Sequence, residues 1–159
     1  MPTIEIIPFT IEHSAVFRDL NLEWVSTLFR VEAHDEAQLS QPERIVDDGG
    51  EIWLARLNGE IVGTGALFHE GEGRYEIAKM AVRPDMRGQG IGGKILEMLI
   101  RRFRERGGTR LWLQTNSRLT NAIALYRRFG FTDFTPSEPS PYARADVFLE
   151  WQDCMSGTQ

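Results

Sequence analysis

Between Met80 and Lys94 the chain reads MAVRPDMRGQGIGGK, a stretch whose chemistry is carried by backbone as much as by side chains. An apolar run stops at Pro84, passes through Arg87, Gly88, Gln89, Gly90, Ile91, Gly92 and Gly93, and enters a segment of helical periodicity. Such a junction leaves successive N–H groups unpaired at the positive end of a helix dipole, where they suit a phosphate. Side chains in place of the glycines would hold a ligand away from the backbone. A tight strand–helix turn by itself does not call for four glycines within six positions.

The surroundings of the loop decide between phosphate ligands. Residues 88–93 satisfy G-x-G-x-x-G, a dinucleotide fingerprint that needs an acidic residue about 20 positions on, closing the next strand, to hold a ribose. Here that strand ends in Gln114, Thr115 and Asn116. Residues 88–94 also fit the front of a nucleotide-triphosphate loop, G-x-x-x-x-G-K. Ile95 stands where that loop needs a magnesium-binding hydroxyl, and no Asp closes the following strand.

A third pattern accounts for more of the chain. Arg87, Gly90 and Gly92 spell R-x-x-G-x-G directly after a strand ending Val-x-Pro. Downstream, Ala122, Leu125, Tyr126, Gly130 and Phe131 spell A-x-x-L-Y-x-x-x-G-F. These two motifs, in this order and separated by one helix and one strand, resemble the signatures of the GNAT superfamily of acyl-CoA-dependent N-acyltransferases. The likeness is close over residues 74–134 and architectural before that.

The resemblance implies acetyl-CoA as co-substrate. Arg87 and the N–H groups of Gly88, Gln89, Gly90, Ile91, Gly92 and Gly93 would bind its pyrophosphate, with Lys94 adding charge. The backbone of Met80, Ala81 and Val82 would hold the pantetheine arm and polarise the thioester carbonyl. Tyr126 stands where relatives place a general acid, and a phenol with a reference pKa of ~10 keeps its proton to give to a departing thiolate. The other reading of Tyr126 is a helix tyrosine with its ring in the core.

Strand alternation puts Glu76 on the face of Met80, where relatives place a base or an acceptor-binding carboxylate, and Lys79 on the opposite, structural face. A carboxylate near ~4.3 is a poor base for an amine near ~10.4, so Glu76 would work through water or attract the cation. An ordinary surface carboxylate is the alternative. Relatives carry an asparagine for the pantetheine arm where this chain has Leu119, which leaves Asn116 or Asn121 to substitute. Arg144, with Tyr142 and Asp146 on a terminal strand, either holds a carboxylate of an amino-acid-like acceptor or pairs with Asp146. The implied function is acetyl transfer to a primary amine of a small molecule or amino acid, by direct attack in a ternary complex. A non-catalytic acyl-CoA-binding module is the alternative.

Composition sets the limits. The 159 residues, with 26% charged and 42% apolar, suit one domain over residues 1–152 with a tail over 153–159. A net charge of −5 argues against nucleic-acid binding and mildly favours cationic substrates. No apolar run approaches the ~20 residues of a membrane span, and the N-terminus lacks a signal pattern, so a cytoplasmic protein is expected. His13, His34 and His69 are scattered and Cys154 is alone, so no metal site is expected. The expected partner is a small-molecule amine, with neither nucleic acid nor membrane, and a homodimer left open.

The elements that must position these groups follow from periodicity and turn chemistry. A first strand covers residues 3–7, and a helix opened by Thr10 carries Phe17, Leu20, Trp24 and Leu28 on one core-facing stripe. Ser40-Gln41-Pro42-Glu43 reads as a capping box for a short second helix, after residues 31–39, which the GNAT resemblance implies as part of the acceptor wall and which otherwise are a plain connector. Asn58-Gly59 marks a hairpin, and a second turn at residues 71–73 leads into the strand ending at Val82. Ile91, Ile95, Leu99 and Phe103 stripe the helix after the glycine loop. Residues 110–116 form a strand parallel to the one ending at Val82. A helix over residues 117–129 and strands over residues 131–134 and 142–151 complete the chain. The expected fold class is α+β: a mixed, mostly antiparallel, twisted sheet of six to seven strands flanked by about four helices, with one parallel strand–helix–strand unit.

Overall fold

The structure, a computed structural model, describes residues 3–151; Cys154 and the tail expected over residues 153–159 lie outside them. Seven strands form one sheet: β1 (Glu5–Pro8), β2 (Glu51–Leu57), β3 (Glu60–Gly71), β4 (Arg74–Val82), β5 (Arg110–Thr115), β6 (Phe131–Asp133) and β7 (Val147–Trp151). Their order across the sheet is β1-β2-β3-β4-β5-β7-β6, and every pairing is antiparallel except β4 with β5. Five helices flank it: α1 (Ser14–Leu28), α2 (Ala33–Ser40), α3 (Glu43–Asp47), α4 (Ile91–Glu105) and α5 (Thr120–Arg128). Among the described residues no helix is long and apolar enough to cross a membrane.

The β2–β3 hairpin closes on Asn58-Gly59, with Leu57 opposite Glu60. Asn58 has φ 52° and Gly59 φ 79°, both positive as a type I′ turn requires. The α4 stripe of Ile91, Ile95, Leu99 and Phe103 packs on one face of the sheet against Val62, Ile77 and Leu111, while Phe17, Leu39 and Ile45 pack on Ile52, Leu54 and Ala66 in a second cluster.

Three sequence expectations are corrected. The connector over residues 31–39 contains α2, entered at Glu32, whose amide donates to Asp35 Oδ2 at 3.0 Å. Ser40 therefore ends a helix instead of capping one, and α3 starts at Glu43 without a side-chain cap. The last strand begins at Val147: Tyr142, Arg144 and Asp146 lie in an irregular segment, because each is drawn to a partner outside the ladder, as described below.

Candidate active site

β4 and β5 pair only at Arg74–Arg110, Tyr75–Leu111 and Glu76–Trp112, and beyond Glu76 they diverge. Parallel strands that part leave a gap at their C-terminal ends, the usual ligand side of a strand–helix–strand unit. A cleft of about 670 Å³ opens there, lined by β4, β5, the glycine loop, α1 and α5.

A β-bulge shapes one wall. Ala66 pairs with Ala78 and Thr64 with Ala81, so Gly65 alone stands opposite Lys79 and Met80. Lys79 takes φ +57°, a left-handed conformation costing a non-glycine residue roughly 1–3 kcal/mol. The extra residue inverts the alternation. Met80 turns toward α4, its sulfur filling the space over Gly65 beside Ile95 and Leu99, where a Cβ would sit 2.6 Å from it. Lys79 swings to the side of Glu76. The expectation that Glu76 and Met80 share a face, with Lys79 opposite, therefore fails at one inserted residue.

At the mouth, the N–H groups of Gly88, Gln89, Gly90, Ile91, Gly92 and Gly93 have no hydrogen-bond acceptor among the described residues; the first intrahelical bond is Lys94 N–H to Gly90 O, 3.2 Å. Gly88 and Gly90 both hold φ +81°, which glycine adopts without strain. Gly92 and Gly93 face Leu125 of α5 across the opening. Arg87 is already engaged: Nε donates to Val82 O at 3.1 Å, and Nη2 to Glu23 Oε1 at 2.9 Å. It ties the loop to α1, leaving Nη1 without a bond among the described residues. Gln89 and Lys94 are exposed and stand outside the lining.

Deeper in, Glu76 Oε2 accepts from Gln114 Nε2 at 2.9 Å. Ser140 Oγ donates to Gln114 Oε1, which fixes the amide with its nitrogen toward Glu76. Burial pushes the Glu76 carboxyl up to about 7, against the opposing pull of the Gln114 hydrogen bond. Tyr126, 7% exposed on α5, lines the cleft from the other side. Burial pushes its hydroxyl up to about 12.

Beside Glu76 lies a buried polar cluster. Asp35, with no exposure, accepts from Lys79 Nζ at 3.2 Å and from both Arg144 branches at 2.7 and 2.8 Å. Despite its burial, these bonds hold its carboxyl at about 2. Lys79 also donates to Tyr142 Oη (3.0 Å), which donates to Gln38 Oε1 (2.7 Å). Arg144 additionally reaches Glu32 Oε2 at 3.2 Å. Its expected surface partner, Asp146, instead accepts from Ser117 N and Oγ, holding the turn before α5.

Residues 16–131 match the acetyltransferase (GNAT) family model. The chain belongs to the GNAT family. It is 40% identical over 101 residues to a protein of Azospirillum brasilense named IAA acetyltransferase, covering 61% of this chain and 64% of that one. The chain thus matches less than two thirds of that relative's length. A GNAT-family acetyltransferase structure from Staphylococcus aureus Mu50 superposes with a TM-score of 0.84 at 24% identity, covering 94% of this chain and 98% of that one. A structure from Salmonella typhimurium, solved with its cofactor acetyl-CoA, superposes with a TM-score of 0.74 at 21% identity over 94% of each chain.

Of the GNAT positions expected from sequence, one cleft gathers Glu76, Met80, Ala81, Val82, Arg87, Gly88, Gly90, Ile91, Gly92, Gly93, Asn116, Asn121, Tyr126 and Arg144. Asn116 is spent within the protein, donating to Arg144 O at 2.6 Å and accepting from Arg118 N at 2.9 Å. Asn121, exposed on the first turn of α5, has no such commitment among the described residues. Sequence reasoning missed Gln114 and Ser140 as members of the site, and reached Asp35 and Tyr142 only through the 31–39 segment and the strand of Arg144. A Ser between Pro139 and Pro141 was the one local hint of a fixed side chain there.

Proposed function

We propose that this GNAT chain moves an acetyl group from acetyl-CoA to a primary amine of a small molecule or amino acid, by direct attack within a ternary complex. The carrying observation is the row of six amides without acceptors, opening onto a cleft that runs between the splayed β4 and β5 to Glu76 and Tyr126. Amides at a helix N-terminus match a pyrophosphate in charge and geometry, and the gap between the strands suits a slender arm. Acetyl-CoA supplies the activated acyl carbonyl.

In this reading, backbone groups of β4 from Met80 to Val82 orient and polarise that carbonyl. Glu76, with a carboxyl near 7, takes a proton from the incoming amine directly or through water. The amine nitrogen bonds to the acyl carbon and the C–S bond breaks. Tyr126, protonated across the working range, gives its proton to the thiolate and regains one from solvent. Asn121 is the asparagine left to contact the pantetheine arm, since Asn116 is spent elsewhere.

Among the described residues no group of His, Cys, Asp and Glu is arranged to hold a metal, and no step above is routed through one. Two measurements test the reading: thermal shift with coenzyme A, and release of free thiol from acetyl-CoA across a panel of amines. Stabilisation together with amine-dependent thiol release is expected. Stabilisation with no turnover on any amine would favour an acyl-CoA-binding module, and no stabilisation would remove the cofactor assignment.

A further inference from the structure

Among the described residues lining the cleft, Arg144 and Lys79 are neutralised by carboxylates and Arg118 is not. Arg144 and Lys79 face the carboxylates of Asp35 and Glu32 at 2.7–3.2 Å. Arg144 is therefore no anchor for a substrate carboxylate, because its fork is already filled. Arg118, in the turn after β5, has no carboxylate partner among the described residues. Its guanidinium lies 4.9 Å from the centre of the Phe29 ring, and its own N–H is bonded to Asn116 Oδ1, which fixes the turn that carries it.

Phe29 belongs to a small panel. Trp24 meets it edge-on, with ring centres 6.1 Å apart, and Arg144 lies 6.0 Å from it. Trp24 Nε1 is buried with no hydrogen-bond partner, although Trp24, Phe29 and Arg118 all line the cleft. A buried N–H without an acceptor costs about 1–3 kcal/mol, so a donor left in that condition beside a binding cleft points to an acceptor brought by a ligand. A guanidinium without a carboxylate partner, resting over an aromatic ring, suits a planar anion, which it can meet with two parallel N–H bonds. Glu76, held by Gln114 Nε2 at 2.9 Å, lines the same cleft.

We infer that the amine acceptor carries a carboxylate, gripped by Arg118 over Phe29 with Trp24 Nε1–H as a second donor, while its amine is directed to Glu76. The inference rests on the acyl-transfer reading above and narrows its substrates to amino acids and related amino-carboxylates, against polyamines and simple alkylamines.

The test compares free amino acids with their carboxamides and their decarboxylated amines, measured by thiol release with wild-type protein, Arg118→Gln and Arg118→Lys. Free acids are expected to exceed the matched amides at least tenfold in kcat/KM. Arg118→Gln should erase that ratio through a higher KM for the acids, and Arg118→Lys should restore part of it. Amides or decarboxylated amines used as well as the acids, or a ratio unmoved in Arg118→Gln, would overturn the inference. Calorimetry of the same compounds with coenzyme A-loaded protein separates the two proposals. Carboxylate-dependent binding without turnover would uphold the Arg118 grip on a carboxylate and sink the transfer reading, whereas neither binding nor turnover would sink both.

Discussion

Replacing Glu76 by Gln tests the base and its environment at once. Burial raises this carboxyl from 4.5 to about 7, so in the folded protein it gives up its proton later than in the unfolded chain. Below the unfolded value both states are protonated and Glu76 is neutral to stability. Between the two values the folded state binds more protons, so stability falls as pH rises. Above about 7 the whole cost is present, about 3 kcal/mol at ~1.4 kcal/mol per pKa unit. Glu76→Gln keeps an oxygen to accept from Gln114 and removes the buried charge. At about pH 8 the variant should therefore be more stable than wild type by up to that amount, and at about pH 4 the two should match. Thermal or urea unfolding across this range reads the difference. The same variant should lose the acid limb of the rate profile. In wild type, kcat/KM should fall about tenfold per unit below about pH 6 and level off above about 8. Gln114→Leu withdraws a bond that favours the ionised form, and should move the limb alkaline by about one unit. An acid limb that survives in Glu76→Gln, or stability that rises in parallel for both proteins from about pH 4 to 8, would refute the reasoning.

Two further outcomes follow from the geometry. Tyr126→Phe should cut kcat by about a hundredfold or more with the coenzyme A dissociation constant nearly unchanged, and wild type should show no alkaline fall from this residue below about pH 11, since its hydroxyl sits near 12. An unaltered kcat would remove Tyr126 as the acid. Gly65→Ala would place a Cβ 2.6 Å from Met80 Sδ and 2.7 Å from an Ile95 methyl, and should destabilise the protein by about 1–3 kcal/mol in urea unfolding; no loss would show that the bulge yields freely.

Local chemistry alone determined a good share of this molecule. The glycine loop, the Asn58-Gly59 hairpin and the α4 stripe were legible because each is written in neighbouring residues: φ preferences at turns, and a repeat of four on a helix. A strand, a helix and a strand in succession were enough to place β4 and β5 in parallel, and with them the side of the sheet where a ligand enters. What the chain order does not encode is partnership across distance. One extra residue opposite Gly65 reversed which β4 side chains face the cleft, and alternation cannot register a bulge that depends on the neighbouring strand. Arg144 and Asp146 sit two apart and look like a pair. Yet one closes on Asp35, 109 residues away, and the other on Ser117. The raised pKa of Glu76 was equally out of reach: a carboxylate in an alternating strand reads as solvated, and only burial in the folded chain removes the water that would have kept its pKa ordinary.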